Sequence, residues 1–471
     1  MTAPRETGPP RAGLAADYLA HLRRIGTPLA SLTAAARASE TLAVAYRDRF
    51  LPAPVFLAAD ERRRIARDLS TVYRLLRELP KRRFGGDTAA MARAVGMNRH
   101  QVDLAVRAAA DETRPLVQLA RADIYREADS FALLELNITS ALGGFENADI
   151  NRAMLAAAPL RRFTTERGLA YADTLAVIVA ALRAECAPFL PGGGRTPVVA
   201  LADWPESYKT YRPRLELLSR LLRRFGIDGV PCHVGEIDAA GPAVTARGRR
   251  VDAVWRFFLL EEVATADDFA LIDPLAAAAE HGRTAVFSRF DAELYGNKGA
   301  LAMLADPACR AELTGPERAC LDRFLPATVP LTEADADWRG ERIAPVPFAL
   351  AHREDLILKP TLLHGGNGIV PGWQAGGDAW AAALADAADG PYVLQRRVRP
   401  APDWFPGEDG EPEAFYLNWG AFTADPALTG PDGWAGCIVR GSGDSDVGVV
   451  SMGSGARVGC CFHETDEAAP A

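Results

Sequence analysis

Two short polar motifs in the second hundred residues carry side chains of the types that bind metal ions and phosphate. Arg121 and Asp123 are two positions apart, eleven residues follow Asp123, and Glu135 and Asn137 are again two positions apart. Side chains two apart on a β-strand share a face. If the segments pair as a hairpin about position 129, Asp123 lies opposite Glu135 and Arg121 opposite Asn137. The four polar side chains then meet on one face, and the opposite face is apolar and includes Leu134.

This polar face has the composition of a magnesium site with a neighbouring cation. The carboxylate and amide oxygens of Asp123, Glu135 and Asn137 are hard ligands of the kind that Mg²⁺ prefers. Arg121 is suited to hold a carboxylate or a developing oxyanion. The alternative is a solvated hairpin face, because alternating polar residues are common on antiparallel sheets.

A second candidate site is a lysine that ends an apolar strand before a glycine-rich loop. Lys359 closes the run LILKP, and Gly365, Gly366 and Gly368 follow in HGGNG. Glycines let backbone N–H groups approach phosphate oxygens, and a lysine adds a positive charge. The spacing is not that of a P-loop. The alternative is an ordinary turn after a strand.

Three further positions could contact an anionic ligand. Lys298 follows Asn297 at the start of a predicted helix, where the helix N-terminus favours negative charge. Gln395 lies in YVLQRRV, a strand that turns polar and could form an edge that reads a nucleotide base. Arg440 ends an apolar strand and suits a phosphate or an acidic partner. The alternatives are an exposed lysine, a plain strand end and an ion pair.

The elements around these motifs predict a mixed fold, of α+β and α/β type, in several units. The unit at 191–290 alternates strands with helices, including a helix over PRLELLSRLLRRFG. The predicted units are a disordered leader (1–12), a helical region (13–115), the hairpin with a following helix from about Thr164 to Cys186 (116–190), a small βαβ unit (191–290), an α+β region (291–463) and a disordered acidic tail (464–471). Predicted strands of the α+β region are DLILKP, GPYVLQRRV, EAFYLNWGAF, WAGCIVRG and VGVVSMG.

Composition excludes several classes of protein. The 471 residues are 49% hydrophobic and 24% charged, which are ordinary values for a globular chain with a core. The net charge of −8 repels nucleic acid and anionic lipid, so we expect neither as a partner. No stretch approaches the roughly 18 apolar residues of a membrane span. Seven cysteines without a CxxC pair indicate reduced thiols, and we expect a cytoplasmic protein.

Common catalytic signatures are absent from the sequence. There is no HExxH, no GxSxG, and no GxGxxG after the first strand of the βαβ unit. Zinc-dependent hydrolysis, Ser/His/Asp hydrolysis and a dinucleotide site are therefore not indicated.

Taken in chain order, the motifs resemble those of the glutathionylspermidine synthase family, within the circularly permuted ATP-grasp ligases. In the usual ATP-grasp arrangement the magnesium-binding ExN follows the ATP-binding lysines, whereas here it precedes them. The resemblance covers about residues 115–463. It rests on Arg121-x-Asp123, Glu135-x-Asn137, Asn297-Lys298, Lys359-Pro360 with the glycine-rich loop, Tyr392–Gln395 and Arg440.

The resemblance implies a permuted ATP-grasp fold in which residues 191–290 form a pre-ATP-grasp-like unit. It also implies an ATP- and Mg²⁺-dependent ligase that joins a carboxylate to an amine through an acyl phosphate. The roles that it implies are metal ligands Asp123, Glu135 and Asn137; catalytic Arg121, at the oxyanion, and Arg440, at the transferred phosphate; and nucleotide-binding Lys298, Lys359, Gly365, Gly366, Gly368 and Gln395, the last beside adenine.

The chain also departs from that family. His364 stands where the loop commonly has an arginine between glycines, the residues after Asn137 differ, and no amidase half with an early catalytic cysteine is present. The expected partners are therefore only a small-molecule or peptide carboxylate and an amine. The oligomeric state is not indicated. Two other functions remain open, a catalytically silent nucleotide-binding scaffold and a small-molecule kinase.

Overall fold

The computed structural model describes residues 13–26, 29–110, 116–128, 130–192, 195–407 and 411–466. The predicted leader, residues 1–12, lies outside the described residues. Before the polar hairpin the described chain is mainly helical, with one short strand. Its elements are α1 (Leu14–Ile25), α2 (Leu29–Arg37), α3 (Glu40–Tyr46), β1 (Val55–Leu57), α4 (Ala59–Phe84), α5 (Thr88–Ala94) and α6 (Arg99–Ala109).

The predicted hairpin consists of β2 (Leu119–Glu127) and β3 (Ser130–Asn137). Its register is confirmed at the polar positions, where Arg121 pairs with Asn137 and Asp123 with Glu135. The next pair is Ile124 with Leu133, so Leu134 is the extra residue of a β-bulge. The prediction for Leu134 was wrong, because the bulge turns its side chain to the polar side of the hairpin.

The segment after the hairpin is more broken than its helical pattern predicts. The single helix expected from Thr164 to Cys186 is wrong, because Gly168 adopts a left-handed conformation (φ 59°) that ends one helix before the next begins. The elements here are α7 (Asn147–Met154), α8 (Ala158–Glu166), β4 (Leu169–Ala170) and α9 (Thr174–Glu185).

Residues 198–287 contain a small sheet with four parallel strands, in the order β11-β10-β5-β6. The long helix α10 begins at Pro205, earlier than predicted, because Pro205 occupies its first turn, where proline is tolerated. The elements are β5 (Val198–Asp203), α10 (Pro205–Leu222), β6 (Asp228–His233), β7 (Ile237–Asp238), β8 (Thr245–Ala246), β9 (Arg249–Arg250), β10 (Ala253–Arg256), α11 (Ala266–Glu280) and β11 (Ala285–Phe287).

The following region begins with four helices. Its later part contains two more helices and a four-stranded sheet in the order β12-β17-β15-β16. That sheet has a hydrophobic core of its own, separate from the main core. The elements are α12 (Ala292–Tyr295), α13 (Lys298–Ala305), α14 (Pro307–Ala311), α15 (Gly315–Phe324), β12 (Thr328–Pro330), β13 (Ala336–Trp338), β14 (Glu341–Ile343), α16 (Pro345–Ala351), β15 (Leu356–Pro360), β16 (Val370–Pro371), α17 (Gly377–Ala387) and β17 (Tyr392–Arg396).

The last strands complete the sheet of the polar hairpin, in the order β21-β20-β19-β2-β3 with β18 beside β19. The polar hairpin thus joins strands that lie nearly 300 residues later in the chain. The elements are β18 (Pro402–Pro406), β19 (Pro412–Ala424), α18 (Pro426–Thr429), β20 (Trp434–Ser442), β21 (Arg457–Gly459) and β22 (Cys461–Glu464).

Two predictions near the C-terminus were wrong. The run VGVVSMG, residues 447–453, forms loops and turns rather than a strand, with Ser451 and Ser454 bonded to each other through backbone and hydroxyl groups. The tail is ordered at its start, since Glu464 ends β22 and Asp466 pairs with Arg62. Residues 467–471 lie outside the described residues.

Two further observations concern the molecule as a whole. All seven cysteines are buried free thiols. Among the described residues, no helix is long and apolar enough to cross a membrane.

Candidate active site

A cavity of about 570 Å³ opens over the polar face of the hairpin. Its lining includes the hairpin with β20, one face of α10, the glycine-rich loop, strands β15 and β17, and the segments 139–146, 257–262 and 448–453. The apolar run that was predicted as a last strand therefore lines the cavity instead. All the predicted site residues except Lys298 and Gly368 line this cavity, and they come from positions more than 300 residues apart.

Asp123 lies at one end of the cavity, between two arginines. Its Oδ1 accepts hydrogen bonds from Arg121 Nε at 3.1 Å and from Arg440 Nη2 at 2.7 Å. Arg440 lies on β20, two strands away, and the residue between the strands is Gly420, whose ideal Cβ would lie 2.7 Å from a methyl carbon of Ile438. A side chain at 420 would crowd Ile438 and the side chain of Arg121.

Glu135 meets the second basic pair. Lys298 Nζ lies 3.2 Å from Glu135 Oε2, and Asn137 Nδ2 donates to Glu135 Oε1 at 3.2 Å. Lys359 Nζ donates to Gln395 Oε1 at 2.6 Å and to the Leu134 carbonyl oxygen at 3.4 Å. The bulge at Leu134 thus supplies a backbone acceptor for a predicted phosphate-binding lysine.

Burial and neighbouring charges both shift the pKa values of Glu135 and Lys359. Burial would raise the pKa of Glu135, but Lys298 and Lys359 together hold it well below its ordinary value, so the carboxylate is ionised. Burial lowers the pKa of Lys359 to about 8, and Lys298 adds to that lowering. The negative charge around Lys359 is therefore too small to offset the effect of burial on its pKa. A bound anion would supply more negative charge.

Lys298 reaches the glycine-rich loop as well as Glu135. Its Nζ donates to the Leu363 carbonyl oxygen at 2.7 Å, and its backbone N–H donates to Thr361 O at 3.0 Å. Its side chain does not line the cavity. Lys298 thus holds the start of the loop against the hairpin.

The glycines of the loop divide into two groups. Gly365 and Gly366 line the cavity, both with left-handed backbone (φ 68° and 88°) that favours glycine. Gly368 lies away from the cavity, and its ideal Cβ would be 3.2 Å from the Pro360 ring. His364, the departure from the family pattern, bonds Glu261 Oε2 through its backbone N–H and ring Nδ1, both at 2.9 Å.

Gln395 has its side-chain amide engaged within the protein. Besides accepting from Lys359, it donates from Nε2 to Thr328 Oγ1 at 3.1 Å. Next to it, Arg397 lies over the Trp373 ring at 4.1 Å and pairs with Asp446. Both Trp373 and Arg397 line the cavity. Arg397 belongs to the predicted polar strand end YVLQRRV, whereas Trp373 belongs to no motif that the sequence indicates. A role for Gln395 beside adenine stays a prediction.

The donor set fits a magnesium ion that arrives with phosphate. Asp123, Glu135 and Asn137 offer hard oxygens, and Mg²⁺ is usually held by one or two carboxylates plus substrate phosphates. Among the described residues, no group of three or more His, Cys, Asp or Glu side chains could hold a metal by itself. Four basic side chains meet two carboxylates here, so the site carries an excess of positive charge that suits a polyphosphate.

The other end of the cavity was not predicted. Asp203, Arg214, Glu261 and Glu262 line it, together with leucines of α10. The only signal in the sequence was the polar run 202–209 at the end of a predicted strand, which contributes Asp203 and Ser207 to the lining. A carboxylate that follows a strand of a parallel sheet is a reasonable site candidate.

No protein-family model matches the chain, and no curated protein matches its sequence. Among solved structures, a glutathione synthetase-like effector (GSS30) from Globodera pallida has 12% identity and a TM-score of 0.52, over 88% of this chain and 89% of that chain. A putative gamma-glutamylcysteine synthetase from Methylobacillus flagellatus has 12% identity and a TM-score of 0.43, over 83% of this chain and 86% of that one. The chain thus shares the mixed α/β fold of the glutathione synthetase-like effector.

Proposed function

We propose that the protein is an ATP- and Mg²⁺-dependent ligase that joins a carboxylate to an amine through an acyl phosphate. We also propose that it is a circularly permuted ATP-grasp enzyme similar to glutathionylspermidine synthase. The observation that carries the proposal is the hairpin face, where two carboxylates and an amide meet four basic side chains at one end of a cavity. The likeness in fold supports it.

The proposed roles follow from the contacts. Asp123, Glu135 and Asn137 would hold Mg²⁺, which would neutralise phosphate charge when bound. Lys359, with the backbone N–H groups of Gly365 and Gly366, would orient the phosphates of ATP. Phosphoryl transfer depends mainly on such positioning and charge neutralisation.

The two arginines on Asp123 would act on the reacting groups. In the first step a substrate carboxylate oxygen attacks the γ-phosphorus, the bond to ADP breaks, and an acyl phosphate forms. In the second step the amine nitrogen attacks the acyl carbon, phosphate leaves, and the amine gives up a proton. Arg121 would stabilise the oxyanion on the acyl group, and Arg440 the transferred phosphate.

The test is ATP turnover with Mg²⁺ against panels of carboxylic acids and amines, with hydroxylamine added to trap any acyl phosphate as a hydroxamate. We expect release of ADP and phosphate that requires both an acid and an amine. Asp123→Asn should lower this turnover by roughly 100-fold or more, as loss of a preorganised charge does. Asp335→Asn, which removes an exposed carboxylate paired with Arg342, is the matched control and should keep wild-type turnover.

Two results would contradict the ligase. ADP release with acid alone, giving a stable phosphorylated product and no hydroxamate, would indicate a kinase. Tight binding of ATP without turnover across the panels would indicate a silent scaffold.

A further inference from the structure

The α10 side of the cavity is apolar over most of its surface. Side chains three and four positions apart on a helix share a face, and Ser207, Tyr211, Leu215, Leu218 and Leu221 have this spacing. All five line the cavity, as does Leu217 of the same helix. Phe257 extends this apolar wall from the segment after β10. A ligand at this end therefore meets hydrocarbon along α10 and at Phe257.

One buried carboxylate faces this apolar wall. Asp203 is only 4% exposed and lines the cavity. Its Oδ1 accepts from the Trp204 backbone N–H at 2.8 Å, and among the described residues no partner donates to its Oδ2. Burial raises the pKa of Asp203 to about 6, while Trp204 and Arg214 oppose the rise, so the group is ionised at neutral pH. A buried carboxylate with a free oxygen calls for a donor.

The neighbouring acids are only partly engaged within the protein. Glu261 Oε2 accepts both hydrogen bonds from His364, and among the described residues none donates to its Oε1. Glu262 accepts from Ser207 Oγ at 2.9 Å and from the Leu259 N–H at 2.8 Å. Burial raises the pKa of Glu262 to about 7, so Asp203 and Glu261 carry most of the negative charge at this end.

The nearby arginine has its own counter-ion. Arg214 Nη2 pairs with Glu146 Oε1 at 2.5 Å, and Glu146 Oε2 accepts from the Gly144 N–H. The charge of Arg214 is therefore balanced locally. The acids still outnumber the bases at this end, which is opposite in charge to the Asp123 end.

Gly143 joins the two ends of the cavity. Arg121 Nη1 donates to its carbonyl oxygen at 2.9 Å, and Arg214 Nη2 lies 3.2 Å from the position that a Cβ on Gly143 would occupy. Gly143 thus lies between Arg121, the proposed oxyanion-binding residue, and Arg214 at the Asp203 end of the cavity. A ligand at the Asp203 end would lie beside the proposed acyl phosphate.

We propose that Asp203 binds the amino group of the acceptor substrate as an ammonium ion and takes its proton before the neutral amine attacks, and that this substrate is a monoamine with an aromatic or branched aliphatic body packed against α10. The proposal deepens the proposed ligase function and rests on it. A polyamine fits less well, because its further ammonium groups would lie along the leucines of α10, which offer them no acceptor. One charge and one apolar group match what the cavity presents.

The test is calorimetric titration with phenethylamine, an aromatic monoamine, beside spermidine and the small amine ethanolamine. We expect wild-type protein to bind phenethylamine about tenfold or more tightly than either of the others. Asp203→Asn should weaken phenethylamine binding by about tenfold or more, since Asn keeps the bond to Trp204 N–H but lacks the charge. Glu206→Gln, which neutralises an exposed carboxylate at the start of the same helix, should change nothing.

The outcomes separate this proposal from the ligase function. Spermidine binding more tightly than phenethylamine, no detectable binding of phenethylamine, or equal binding by Asp203→Asn would each overturn it. Leu218→Ala provides a second variant. It should weaken the binding of phenethylamine but leave the binding of ethanolamine unchanged. ATP with Mg²⁺ is titrated separately. Binding of phenethylamine without binding of the nucleotide would support the amine site and contradict the proposed ligase function.

Discussion

Lys359 is the residue whose protonation most directly links the cavity to an anionic ligand. It is buried, it donates to Gln395, and its pKa of about 8 reflects burial first and the charge of Lys298 second. Glu135 opposes the lowering but is shared with Lys298. Because the shift is downward, the neutral amine is favoured relative to a lysine in water, and an anion beside it reverses that preference.

Affinity for ATP should therefore fall as the pH rises above about 8, where Lys359 loses its proton. With a single linked proton the loss approaches about tenfold per pH unit. Lys359→Met should bind ATP more weakly near neutral pH and show little of this dependence. The measurement is the dissociation constant of ATP with Mg²⁺ across this range.

The matched control for Lys359 is Lys209→Met, which removes an exposed lysine paired with Glu206. It should keep the wild-type pH profile. A wild-type affinity that does not change through pH 8, or the same fall in Lys359→Met, would show that another group titrates.

At the scale of elements, the start of α13 is fitted closely against the end of β3. The ideal Cβ of Gly296 would lie 2.4 Å from the Ile138 backbone nitrogen and 2.8 Å from its Cβ, closer than real Cβ atoms come. Gly296 directly precedes Asn297 and Lys298, and Ile138 directly follows Asn137. This contact therefore brings two of the predicted motifs together.

Gly296→Ala should separate the two elements and lower the free energy of unfolding by about 1–3 kcal/mol, as overpacking does. It should also weaken ATP binding, because Lys298 and Asn137 move apart. Denaturant unfolding and ATP titration measure the two effects. Gly315→Ala is the control, since nothing lies within 4 Å of its ideal Cβ, and it should neither lower the free energy of unfolding nor weaken ATP binding. Wild-type stability in Gly296→Ala would show that the contact is not tight.

At the scale of the whole molecule, the described residues form one large core and two smaller ones, and the larger of these two is built by residues from β12 to β17. That core contains Trp380, which is 1% exposed and donates from Nε1 to the Ala349 carbonyl oxygen at 2.9 Å. Lys359 and Gln395 stand on strands of this small unit, whereas Asp123 and Glu135 stand on the large sheet. The candidate site therefore lies between two cores.

Trp380→Ala should destabilise the small unit by about 3–5 kcal/mol through the cavity that it leaves. Because the cores are separate, we expect faster amide hydrogen exchange over residues 327–396 and unchanged exchange in the parallel sheet over 198–287. ATP with Mg²⁺ should slow exchange again in the small unit, since it would bind both sides of the cavity. Uniform acceleration across both regions would mean that the molecule unfolds as one unit.

The sequence by itself determined the hairpin, its register at the polar pairs and most of the strands that follow. These features depend on local periodicity and on pairing across a short turn, so the spacing of Arg121-x-Asp123 and Glu135-x-Asn137 was sufficient to predict them. The sequence also indicated the basic residues that surround that face in the structure.

Only the tertiary structure decided which side chains complete the site. The bulge at Leu134, the link from Lys298 to the glycine-rich loop, and the bond between His364 and Glu261 depend on contacts between distant segments. The same holds for Asp203 and the leucines of α10, whose helical pattern predicts an ordinary buried face. A local pattern records that a residue is buried or polar, but which surface it meets is set by how the separate sheets pack.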